Sequence, residues 1–384
     1  MPSGPGSDWD PRAKAALQDQ IATYDHMRQT CPVAHSDYMN WSVFRHSDVI
    51  RILHDHQTFS STVSRHISVP NGMDPPVHDE YRRIIDRYFT AERIKAFAPV
   101  CQEIATRLVA GLPKGTEVEL MANFAQAFAL EMQSAFLGWP QELHEPLRLW
   151  IKKNHQATLA QDRTAMAAIA FEFDGYIKDM LAVRRKAGAS ASSDITTSLL
   201  GERVAGRPLA DDEIVSILRN WTVGELGTMA SSVGIIVHYL ARRPKLQQQL
   251  RLDTALLGLA IDEILRIQGP LIANRRISTR SVNVGGRQLA AGDRVSIIWA
   301  SANRDEDVFG DPDEFRLDRD PAQNLLYGAG IHVCPGASLA RLELSTIIRE
   351  LLVQTSDIAV VEDKPAVLAV YPAGGFSTLP LSIR

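Results

Sequence analysis

A thiol, an imidazole and three glycines crowd the ten residues from Tyr327 to Gly336, where Gly328, Gly330, His332 and Cys334 fall at alternating positions. Just downstream, Leu344, Ile347, Ile348 and Leu351 recur at helical spacing, so Cys334 lies just before or at a helix N-terminus. Helix dipole and unsatisfied N–H groups favour a thiolate at that place. Gly328 and Gly330 let the backbone turn sharply and approach a flat partner without a Cβ in the way. A nucleophilic cysteine would need a base and an orienting group, and only His332 is near. A zinc site would need further ligands at characteristic spacing, and Cys31 and Cys101 are isolated. A lone cysteine is also commonly a small buried hydrophobe. The string as a whole is far more specific than its cysteine.

Other chemistry-bearing residues need elements to position them. In Asp74-Pro-Pro-Val-His78-Asp-Glu-Tyr-Arg82, the proline pair sets a helix start, and His78 and Arg82 at i, i+4 share one face and can clamp a carboxylate. The alternative is an ordinary solvated helix face. A long helix is predicted over about 210–241, capped by Asp211 or Asp212, and it carries Gly224, Glu225, Gly227 and Thr228 midway. Two interior glycines, each about 0.5–1 kcal/mol worse than Ala, point to a distortion or a close approach there. Glu263 and Arg266 sit at i, i+3 on a short amphipathic helix and can pair. Residues 270–300 alternate as strands around Gly285-Gly286 and Gly292-Asp293, with Arg276 in the first. Residues 92–190 read as amphipathic helices broken at 113–115, 138–140 and the small-residue run from Ala187; Thr62–Pro76 reads as a loop, and 1–11 as a flexible lead-in.

The pattern Tyr327-Gly328-x-Gly330-x-His332-x-Cys334-x-Gly336 resembles the haem loop of the cytochrome P450 family, with Tyr where Phe is usual. His78/Arg82, Thr228, Glu263/Arg266 and Arg276 follow that family's order and spacing, from about residue 30 to the end of the chain. The resemblance implies a mainly α fold with a smaller β-rich part, in one domain spanning 1–384, and a bound haem b. Cys334 would ligate its iron, as a thiolate suits an axial haem position. His78, Arg82, Arg276 and His332 would contact propionates, with Arg275 as a competitor one residue away; Tyr327 and Gly328 would shape the ligand loop. Glu263 and Arg266 would form a structural pair completed by Arg316 or Arg319. Val223, Gly224, Leu271, Ile272, Ala273 and Phe376 would face substrate.

The implied reaction is insertion of one oxygen atom from O2 into a small organic molecule, by hydroxylation or oxidative dealkylation. The family's helix motif places an acid directly before Thr228, where this chain has Gly227. Since one helical step is about 100°, Glu225 cannot simply replace it. The expectation is that water at Gly227 carries protons, fed by Glu225. The other readings are a haem-binding scaffold or sensor and an oxidase of carrier-bound substrates; a peroxide-driven enzyme would carry an Arg-Pro pair at Gly227-Thr228.

Composition agrees with a globular enzyme: 384 residues, 45% hydrophobic, 22% charged and net charge −4. Mild acidity gives no reason to expect nucleic acid or an anionic membrane. Three scattered cysteines argue against a disulfide framework and for the reducing cytoplasm. The N-terminal residues lack an apolar export segment. With no reductase domain after Arg384, a separate ferredoxin or flavodoxin with its reductase is the expected donor. Arg83, Arg87 and Arg341 would dock it on an otherwise monomeric protein.

Overall fold

The computed structural model describes residues 6–64, 66–188, 194–371 and 373–384. Its contacts divide the chain into two compact units, Met1–His66 with Asn71–Asp74 and Asp262–Cys334, and Ile67–Pro70 with Pro75–Ile261 and Pro335–Arg384.

The first unit is built on a five-stranded sheet in the order β1 (Val33–Ser36), β2 (Asn40–Val43), β5 (Arg294–Ile298), β4 (Ala273–Ser278), β3 (Phe59–Ser60). β2 and β5 pair in parallel, Val43 opposite Ile297, and the other neighbours are antiparallel. β-branched and aromatic residues drive the pairing because they fill a half-buried pleat. Trp41, Val43, Phe59, Val295 and Ile297 are buried together with Val49, Ile52 and Leu53 of helix α2 (His46–His54). Residues 1–5 of the expected lead-in lie outside the described residues. Within the rest of that segment, Trp9 is buried edge-on against Tyr24 of helix α1 (Gln20–Thr30) and Phe44, and Asp8 accepts hydrogen bonds from His35 N and Arg287. One large aromatic outweighs its polar neighbours, because burying it removes a large apolar area from water.

The second unit is helical: α3 (Val77–Asp86), α4 (Ala91–Ala110), α5 (Gln126–Leu137), α6 (His144–Ala160), α7 (Arg163–Ala187) and the long α8 (Asp211–Ala241). Most of the small-residue run after Ala187 lies outside the described residues. α8 keeps the predicted span and does not break at its glycines. Its start differs from expectation. Asp211 and Asp212 are drawn into ion pairs with Arg185 and Lys178, and Glu213 instead accepts the Ala210 N–H at 2.7 Å. The loop expected over Thr62–Pro76 is tied down in its middle. Ser216 takes the Val69 N–H at 2.8 Å, Asn220 donates to Val69 O at 2.9 Å, and Ser216 and Arg219 both donate to Ile67 O. Beyond α8 come α9 (Leu257–Ile267) and α10 (Ala337–Gln354), and a three-stranded antiparallel sheet of Thr116–Glu119, Pro380–Ile383 and Ile358–Val360.

Candidate active site

In the first unit, the Tyr327–Cys334 loop closes on its own backbone. Cys334 N donates to Tyr327 O at 2.8 Å, Gly328 N to Leu325 O at 2.9 Å, and Val333 N to Gly330 O at 3.2 Å. Gly328 and Gly330 adopt φ of +74° and +70°. At Gly330 a Cβ would also come within 2.3 Å of the Leu53 carbonyl oxygen at the end of α2, so only glycine can bring the loop that close. The loop leaves Cys334 exposed immediately before Pro335, which has no N–H to donate. By contrast, burial pushes the Cys101 thiol up to about 11, which keeps it protonated and inert.

His332 is held by its ring: Nε2 lies 2.9 Å from Ser61 Oγ and 3.1 Å from Met73 O. A carbonyl can only accept, so Nε2 carries the proton toward Met73. Arg276, on β4, is 8% exposed, and its guanidinium donates one hydrogen bond, to Arg275 O at 2.8 Å. Burial lowers its pKa, while the nearby Asp74 pulls the other way. Among the described residues its other donors have no acceptor, so they can receive an anion. Arg275 is less buried.

α9 supplies the expected pair. Arg266 donates to both Glu263 oxygens, at 2.7 and 2.9 Å, and also to Asn303 O and Pro312 O. The third member is Arg319, whose Nε reaches Glu263 Oε1 at 2.8 Å; the Arg316 side chain turns to Asp311 and Asp318 and offers Glu263 only its backbone N–H.

In the second unit, His78 and Arg82 lie on α3 as spaced. His78 is 2% exposed with Nδ1 2.9 Å from Asp79, and Arg82 donates from Nε to Asp86 at 2.6 Å. On α8, Thr228 Oγ1 donates back to Gly224 O at 2.5 Å, so its lone pairs are what it offers outward. Nothing lies within 4 Å of a Cβ built on Gly224, and Val223 is 41% exposed.

Glu225 does not face Gly227, so any feed from it to water there would come from another direction. Two helical steps turn its carboxyl to the opposite side, where it meets Glu343 of α10, a residue with no exposed surface. Glu225 Oε1 and both Glu343 oxygens have no donor partner among the described residues, so the contact is attractive only with a proton held between the two carboxyls. Burial, then the Glu225 charge, raises the Glu343 carboxyl well above its ordinary range. Phe376 is also buried, its ring tilted against that of His238 with centroids 4.5 Å apart. Ile272 is buried, and Leu271 packs on the first unit's core. Sequence reasoning missed two groups here: Glu343, and His155 of α6, whose Nε2 lies 3.7 Å from where a Gly227 Cβ would be.

The donor set fits an iron porphyrin. The exposed Cys334 sulfur could hold an iron, and the buried guanidinium of Arg276 could receive a ring carboxylate.

Comparisons with known proteins agree with this reading. The family profile described as Cytochrome P450 matches residues 43–365. The chain is 32% identical to probable cytochrome P450 127A1 of Sinorhizobium fredii, over 81% of this chain and 76% of that protein. It is 30% identical to cyclomarin C epoxidase CymV of Salinispora arenicola, over 87% of this chain and 88% of that one. Among solved structures, a mutant of P450 EryK in complex with erythromycin B superposes with a TM-score of 0.87 at 27% identity, covering 95% of this chain and 96% of that one. Among the described residues no helix is long and apolar enough to cross a membrane. The chain belongs to the cytochrome P450 family of haem-thiolate monooxygenases, which use O2, an organic substrate and a redox partner.

Proposed function

We propose that Cys334 is the thiolate that would hold the haem iron of this monooxygenase. The observation that carries the reading is the self-closed loop from Tyr327 to Cys334, which sets an exposed sulfur at the start of α10. Arg276 holds one haem carboxylate with the donors it does not spend on Arg275 O, and His78 and Arg82 supply further donors. His332, fixed by Ser61 and Met73, stiffens the loop and adds charge toward a propionate when doubly protonated. When bound, the haem supplies O2 activation, and thiolate donation favours O–O cleavage. Thr228, its hydroxyl proton spent on Gly224 O, would accept and orient hydrogen bonds through its outward lone pairs. In the second unit, Val223 and Gly224 are substrate contacts on α8; in the first, Leu271, Ile272 and Ala273 are. Phe376 backs α8 through His238 rather than touching substrate.

The substrate is a small organic molecule, hydroxylated or oxidatively dealkylated. Electrons come from a separate ferredoxin or flavodoxin docking on Arg83, Arg87 and Arg341, all exposed in the second unit, although Arg87 already pairs with Glu202. The protein works as a cytoplasmic monomer with its two units serving one catalytic domain.

The test is ligand substitution. Cys334→Ser abolishes the red-shifted ferrous–carbonyl Soret band of thiolate ligation, whereas Cys101→Ser keeps it. A Cys334→Ser protein that retains that band refutes the assignment.

A further inference from the structure

Thr228 needs a proton source on the exposed side of α8, and Glu225 is turned away to Glu343. The side chain nearest the bare position is His155. Its Nε2 and Cε1 lie 3.7 and 3.9 Å from the place a Gly227 Cβ would occupy. Among the described residues the ring makes no hydrogen bond, and it is half-buried with its Nε2–Cε1 edge toward Gly227.

We propose that His155 of α6 is the proton-relay residue of this site, carrying from the facing helix the function that an acid at position 227 would have carried on α8. This rests on the haem-thiolate reading above. The relay balances without a net charge: one ring nitrogen takes a proton from solvent, the other releases its own beside Thr228, and tautomer exchange restores the neutral ring. The surroundings suit a neutral imidazole. Burial alone lowers its pKa. Of the carboxylates on the helices packed against α6, Glu131 pairs with Arg107, Glu172 with Lys153 and Tyr176, and Asp174 with Arg219. A carboxylate introduced at 227 has room, because its Cβ would meet the imidazole at ordinary contact distance.

The first experiment reads the ring itself. In the ferrous–carbonyl holoenzyme, which is diamagnetic, NMR titration of the His155 ring should give a pKa below the ordinary histidine range. Gly227→Asp should raise it by about one to three units, as an adjacent opposite charge does. The second uses substrate-free NADPH oxidation with a plant-type ferredoxin and its reductase. His155→Gln should slow it by roughly tenfold, raise the share of electrons lost as peroxide, and erase the inflection that matches the NMR pKa. Adding Gly227→Asp to His155→Gln should restore most of the rate. A His155→Gln enzyme with wild-type rate and pH profile, or a ring pKa indifferent to Gly227→Asp, overturns the proposal. Either result with the thiolate-type carbonyl band intact leaves the haem-thiolate reading standing; loss of that band from the wild type would refute that reading instead.

Discussion

Replacing Glu263 by Gln removes a charge from one of the most buried ion pairs in the first unit. Glu263 and Arg266 are 5% and 1% exposed. The shape is preserved, but one carboxylate oxygen becomes an NH2 that points donors at a guanidinium. Breaking a buried pair on one side costs about 3–5 kcal/mol, because a desolvated charge is left behind. Arg266 retains the carbonyls of Asn303 and Pro312, at 2.8 and 2.9 Å, and the face of Phe309 at 4.7 Å, so the low end, about 3 kcal/mol, is expected. That is a large fraction of a typical total of about 5–15 kcal/mol. Urea unfolding followed by tryptophan fluorescence suits the measurement, since Trp41 and Trp299 belong to this unit's core. Changing both partners, Glu263→Gln with Arg266→Met, should be less damaging than Glu263→Gln alone, with a coupling of about 2 kcal/mol, since Arg266 is then not left as a stranded charge and Arg319 keeps Asp311. Additive effects, or a Glu263→Gln protein within about 1 kcal/mol of wild type, would refute the reasoning.

Three further outcomes follow from the site. Gly330→Ala forces a Cβ onto the Leu53 carbonyl oxygen at 2.3 Å in a left-handed backbone, so haemin titration should give little or no thiolate-ligated holoprotein. Arg276→Leu removes charge-assisted hydrogen bonds worth about 1.5–3 kcal/mol, so haem transfer to apomyoglobin should accelerate by about 10–100-fold, with Arg276→Lys between. For Glu343 the sign is set by its raised pKa: the folded state holds that proton more tightly than the unfolded chain, so its contribution is present at low pH and lost as pH rises above the ordinary carboxylate range. Glu343→Gln should therefore flatten the fall in stability toward neutral pH, by about 1.4 kcal/mol for each unit of the raise; an unchanged pH slope contradicts the shared proton.

The loop around Cys334 was legible because its residues have few substitutes: two positive-φ glycines and one thiol leave little choice of backbone or ligand. α8 was legible in span, since its apolar content and flanking signals agree. What needed coordinates was whatever is decided between distant segments. Nothing local distinguishes Arg319 from Arg316 as the partner of Glu263; the path of the chain after Pro312 decides it. The Asp211 or Asp212 cap was a sound local rule overruled by Arg185 and Lys178 reaching in from elsewhere. His155 carries no signal in its own helix, and Glu343 is unremarkable until Glu225 is seen opposite it. Phe376 looked like a substrate contact because it follows a glycine turn, yet His238 claims its ring.

The hydrogen bonds tying Ile67 and Val69 to α8 have a mechanical side. They reach the helix between Ser216 and Asn220, two to three turns before Thr228, and a helix is stiff over that length. Any displacement of this segment must either snap those bonds or drag the helix with it, so a molecule pressing on residues 67–69 would tug on the threonine whose hydroxyl orients the chemistry.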